Sequence, residues 1–72
     1  MSRKFPVLSA KDVVCVLRSH GFALVGQTGS HQKWRHPGGR QVIVPMHASK
    51  PIPIGTLKNI VDGSGLDVEE FR

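Results

Sequence analysis

The stretch "HQKWRHPGGRQVIVP", residues 31–45, restricts the fold more than any other part of the chain. Two runs of alternating character flank Pro37, Gly38 and Gly39, a loop-forming triplet, and so read as two strands of a β-hairpin. If the triplet forms the whole loop, His36 opposes Arg40, Trp34 opposes Val42 and Gln32 opposes Val44. The other face then carries His31, Lys33 and Arg35 opposite Pro45, Ile43 and Gln41. One face is fit to bury and the other is basic. A slip of one residue would mix the two sets, because strand side chains alternate with a period of two. The clean separation predicts the three-residue loop.

The rest of the chain supplies what covers the apolar face. Ser9 is an N-cap whose hydroxyl can accept from the Asp12 amide, and the Asp12 carboxylate suits the positive helix end. Val13, Val14, Val16 and Leu17 give that helix, residues 10–20, an apolar side, and Gly21 follows as its stop. Cys15, inside "DVVCVLRSHG", reads as a small buried thiol. "FALVGQ" is a short strand beginning at Phe22, and Gly29 with Ser30 makes the turn into the hairpin. After "PMHASKP", Pro53 suits a first helical position, with Ile54, Leu57, Ile60 and Val61 at helical spacing behind it. Gly63 and Gly65 end this second helix. "DVEEF" adds one more turn, with Asp67 as cap, Glu70 at the box position and Phe71 packing back. The predicted fold class is α+β: an α-β-β-β-α two-layer sandwich with a three-stranded antiparallel sheet, both helices on one face and the other face open.

Seventy-two residues make one domain, 1–72, with residues 1–8 as an N-terminal arm. A chain this short is near the lower limit for folding on an apolar core alone, so a deep cofactor pocket is not expected. Ten Lys plus Arg against five Asp plus Glu leave a net charge of +5, which points to an anionic partner. The single cysteine excludes an internal disulfide framework and a cysteine-rich zinc site. The N-terminal stretch has no apolar run long enough for a signal peptide, and no segment approaches the ~20 apolar residues of a membrane span. The chain reads as a cytoplasmic protein without a membrane partner.

The chemistry concentrates in "TGSHQKWR". Cleaving RNA without a metal needs a base for the 2′-hydroxyl, cations for the phosphate and an acid for the departing 5′-oxygen. Histidine is the usual base, since its ordinary pKa of ~6.5 leaves it partly neutral at physiological pH. Gly29 lets the backbone approach a phosphate, and Ser30 can donate through its amide and hydroxyl. Lys33 and Arg35 share His31's side of the strand, along ~13 Å at ~3.3 Å per residue. His47 follows strand three and can approach the same face, and Lys50 adds a cation beyond it. Each group also has a plainer reading. His31 can be a solvated strand residue, Lys33 and Arg35 a charged edge face, and His47 a loop-packing group. Trp34 belongs to the core by register, His20 suits the negative end of its helix, and His36 serves the hairpin loop. His31 and His36 face opposite sides, and no carboxylate lies between residues 13 and 61, so neither a metal site nor a cofactor is expected.

Three motifs in order resemble the HicA family of toxin–antitoxin systems. They are Gly29-Ser30-His31 opening strand two, Val44-Pro45-x-His47 ending strand three, and Gly55-Thr56-Leu57-x-x-Ile60 on the last helix. The resemblance runs from about Ser9 to Phe71. It implies a fold like the double-stranded RNA-binding domain and a small endoribonuclease that cleaves mRNA and arrests growth. It also implies His31 as the catalytic residue and a HicB-type antitoxin that covers the active face. The expectation is therefore a metal-independent mRNA interferase with no cofactor. His31 is the base, Lys33 and His47 give catalytic support, and Gly29, Ser30, Lys33, Arg35 and Lys50 bind single-stranded RNA. Alone it is a monomer, and with its antitoxin a hetero-oligomer. Two other readings use the same face: a non-catalytic RNA-binding module, and a domain that docks an acidic protein.

Overall fold

The computed structural model describes residues 5–47 and 50–72. The elements run α1 (Ala10–Ser19), β1 (Ala23–Thr28), β2 (His31–Arg35), β3 (Gln41–Pro45) and α2 (Ile54–Ser64), followed by a single 3₁₀ turn, Val68–Phe71. The three strands form one antiparallel sheet in the order β1-β2-β3. This is the α-β-β-β-α sandwich that the sequence predicts.

The hairpin register is the predicted one. His31 pairs with Pro45, Gln32 with Val44, Lys33 with Ile43, Trp34 with Val42 and Arg35 with Gln41. The His36 amide donates to the Arg40 carbonyl at 2.8 Å and closes the loop, while the His36 Nδ1 accepts from the Gly38 amide at 2.9 Å. Trp34, Val42 and Val44 are buried at 2%, 5% and 0% exposure, and join Val13, Leu17, Leu57, Ile60 and Phe71 in one core. Helix–sheet packing centres on β3, which both helices contact. Strand β1 is left uncovered, with Leu24 at 46% and Val25 at 53% exposure. Its register steps by one residue between Leu24 and Gly26, so a bulge at Val25 bends this edge.

The capping box of α1 forms as read. The Ser9 hydroxyl accepts from the Asp12 amide at 3.2 Å, and the Asp12 carboxylate accepts from the Ser9 amide at 3.1 Å. Within residues 5–8, the Leu8 carbonyl accepts from the Ile52 amide at 2.7 Å, and Phe5 and Leu8 pack against the core. Residues 1–4 lie outside the described part.

Several local readings are corrected. Cys15 is exposed, not buried. At ~100° per residue, Ala10, Val13, Val14 and Leu17 point to one side of α1, and position 15 lies ~150° away from their centre. Pro53 is the cap of α2 and not its first residue, because its ψ of 143° is extended; the helix begins at an exposed Ile54. Gly63 stays inside α2, where a Cβ would come within 3.1 Å of Val42 Cγ1, so its bareness lets the helix approach β3. Gly65 alone ends the helix, in the left-handed region. The Asp67 carboxylate accepts from the Glu69 amide at 3.1 Å, and the Glu70 amide donates to the Asp67 carbonyl at 2.9 Å, as a 3₁₀ turn requires. Glu70 instead reaches back to His20, with Nε2 and Oε1 3.2 Å apart, tying the last turn to the end of α1.

Trp34 is the largest fully buried side chain, at the centre of the sheet. Trp34→Ala is expected to cost ~3–5 kcal/mol, measured by urea denaturation followed by far-ultraviolet circular dichroism. A loss below ~1 kcal/mol would contradict the core assignment.

Candidate active site

The open face of the sheet is built by alternation along β2. His31, Lys33 and Arg35 project from the central strand and are all exposed. On the β1 side they face Thr28, Gly26 and Ala23, and on the β3 side Pro45, Ile43 and Gln41. The small residues of β1 leave the basic side chains open to a ligand. All five carboxylates, Asp12, Asp62, Asp67, Glu69 and Glu70, lie in or next to the helices and the 3₁₀ turn, and none lies on a strand. The acids are therefore confined to the helix layer, where Lys11, Arg18 and Lys58 also lie, and the positive field of the sheet face is not cancelled locally.

Position 31 is set by the shortest turn in the fold. Thr28 pairs with His31, so Gly29 and Ser30 alone connect β1 to β2. Gly29 sits at φ 57°, a left-handed value that favours glycine, as two-residue hairpin loops require. The turn is held from both sides. The Ser30 carbonyl accepts from the Met46 amide at 2.6 Å, which ties the end of β3 to the turn. On the helix-facing side, a chain of side-chain bonds runs from the core outwards. The Trp34 indole N–H donates to Gln32 Oε1 at 3.1 Å, Gln32 Nε2 donates to Gln27 Oε1 at 3.3 Å, and Gln27 Nε2 donates to the Gly29 carbonyl at 3.0 Å. This relay makes the buried Trp34 an anchor for the turn that carries His31.

Two depressions meet at His31. One, about 560 Å³, runs between the β3 edge and α2, where His31 and His47 share a wall with Ile43, Pro45, Thr56 and Asn59. The other, about 330 Å³, lies on the open sheet face beside Gly26, Thr28 and Lys33. His31 is thus shared by both, with His47 beside it in the first and Lys33 in the second. Arg35 stands at the far end of the basic row, in neither depression. Lys50 lies outside both, in a small pocket with His47 and Pro51. Asn59 and the glutamine relay had no part in the sequence reading, while Gln41 entered it only as the partner of Arg35 and Thr56 only as part of the motif on the last helix. The i, i+3 spacing of Thr56 and Asn59 is a signal of shared facing, but only the packing of α2 shows what they face. Among the described residues, no three His, Cys, Asp or Glu side chains group together, and no helix is long and apolar enough to cross a membrane.

Residues 10–66 match the family model described as the HicA toxin of bacterial toxin–antitoxin systems. The chain belongs to the HicA family. It is accordingly the toxin of a toxin–antitoxin system, and an antitoxin partner is implied. The match spans α1 to the end of α2 and includes the turn, His31, His47 and the cleft. Among curated proteins none matches.

Gln32→Leu removes the middle of the relay and leaves the Trp34 N–H without its acceptor. The expected cost is ~1–3 kcal/mol, with faster amide hydrogen exchange at Gly29 and Ser30 and a shifted Trp34 indole resonance. Unchanged exchange in the turn would show that the relay does not hold it.

Proposed function

We propose that the protein is a metal-independent endoribonuclease that cleaves single-stranded mRNA, and that a HicB-type antitoxin neutralises it by covering the open sheet face. One observation carries this reading: His31 and His47 share a cleft at the end of a cationic row that has no carboxylate near it on the sheet. Membership of a toxin family supports it.

The roles follow from position. His31 takes the proton of the 2′-hydroxyl, and the freed oxygen attacks the adjacent phosphorus. Lys33, next to His31 in the open depression, offsets the negative charge that builds on the phosphoryl oxygens. The bond from phosphorus to the 5′-oxygen breaks, and His47 gives that oxygen a proton. The products are a 2′,3′-cyclic phosphate and a free 5′-hydroxyl. Arg35 and Lys50, further from His31, hold the flanking phosphates, while the Gly29–Ser30 turn sets the approach of the backbone. Both histidines are exposed, so a polymer can reach them.

The antitoxin surface follows from the same lack of acids on the sheet. A partner presenting carboxylates over β2 would pair with Lys33 and Arg35 and seal His31 from RNA. The protein alone is a monomer in this reading and joins a hetero-oligomer with its antitoxin.

Purified protein is expected to cut a long unstructured RNA in the presence of EDTA and leave cyclic phosphate ends. His31→Ala abolishes cutting while the protein stays folded, and His47→Ala slows it by ~10²–10⁴-fold, the usual contribution of one general acid. Ends with 3′-hydroxyls and 5′-phosphates would sink the mechanism, since they indicate activated water. Binding without cleavage by the wild type would make the protein an RNA-binding module.

A further inference from the structure

The cleft between β3 and α2 extends well past the two histidines, and the proposed phosphate chemistry does not use its far part. Its chemistry differs from the open sheet face. Apart from His31 and His47, its described lining carries no ionisable side chain; Pro45 and Pro53 give it apolar walls, and Thr56 and Asn59 give it polar groups. Asn59 is exposed and Thr56 half-buried, both on the side of α2 that turns to the cleft.

The edge of β3 adds a second set of hydrogen-bonding groups. Cross-strand bonds at His36–Arg40 and Ser30–Met46 fix the phase of the β2–β3 ladder. In an antiparallel ladder, bonded and non-bonded pairs alternate. Trp34–Val42 and Gln32–Val44 are therefore the bonded pairs, and Gln41 and Ile43 turn their N–H and C=O groups away from β2. Both residues line the cleft. No backbone bond from another described element reaches these groups.

The geometry points to a base-recognition subsite: the β3–α2 cleft receives one unstacked RNA base next to the scissile phosphate, with Asn59, Thr56 and the outward backbone of Gln41 and Ile43 reading its edge. This deepens the nuclease reading and rests on it for the placement of the phosphate at His31. Two features favour a base over a protein segment. The cleft shares His31 and Ile43 with the cationic depression, so a backbone held at His31 is placed to direct a base into it. Largely neutral walls with a few converging polar groups suit a base, whose edge is uncharged, while the acidic partner that a +5 chain attracts would find no Lys or Arg in the cleft. Sequence-specific RNA recognition of this type reads splayed-out bases on their hydrogen-bonding edges.

The test uses RNA decamers of A, of C and of U with 2′-fluoro sugars, which lack the attacking hydroxyl and cannot be cut. Fluorescence anisotropy at low salt is expected to show Kd values that span about tenfold or more across the three, the discrimination one good base contact provides. Asn59→Ala is expected to shrink the span to about threefold, and Thr56→Val to reduce it as well. Lys33→Ala weakens all three decamers by a similar factor and keeps the span, because phosphate contacts carry no sequence information. The subsite is overturned if the wild type binds the three alike or not at all, or if both cleft variants, folded by circular dichroism, keep the full span. Because binding is read without cleavage, a protein that never cuts RNA but loses discrimination with Asn59→Ala retains the subsite and loses only the nuclease reading.

Discussion

The rest of the structure depends on the register of the β2–β3 hairpin. The loop of Pro37, Gly38 and Gly39 closes through the His36–Arg40 bond and sets Trp34 against Val42. From that pairing, the core and the open face are defined together. Trp34, Val42 and Val44 go to the helices, and His31, Lys33 and Arg35 go to the surface. A one-residue slip would bury the cations and expose the tryptophan at once, so the same apolar burial that stabilises this small domain also enforces the chemistry of its open face.

The link between core and site is direct. Trp34 is buried on one side of β2, and its indole N–H starts the glutamine relay that ends on the Gly29 carbonyl. The Met46 amide holds the neighbouring Ser30 carbonyl. His31 follows this turn immediately, so its backbone is held by the core and by the end of β3 while its side chain stays exposed. A domain of this size has little room for a deep site, and His31 stands exposed at the sheet surface directly after a two-residue turn.

Much of this was legible in the chain. The element order, the hairpin register and the Ser9–Asp12 capping box follow from short-range rules: alternation, loop chemistry and cap geometry. The local misreadings have equally local causes. Cys15 sits among valines in the chain but on the opposite side of the helix, and Gly63 looks like a helix stop although its missing side chain serves close packing on Val42. Ile54 fits the apolar spacing of α2 yet stays exposed, because at ~100° per residue it lies ~70° from the centre of the side that Leu57, Ile60, Val61 and Ser64 bury.

The sequence by itself determined the faces: which residues of β2 and β3 share the basic side, and that no acid interrupts them, since side-chain alternation is a property of any strand. Only the tertiary structure decided what meets those faces. The packing of α2 against β3 brings Thr56 and Asn59 to the cleft that His31 and His47 share. The covering of β3 by both helices leaves the bulged β1 edge bare. These contacts join residues far apart in the chain, and their geometry depends on how helices settle on the sheet, which no local pattern encodes.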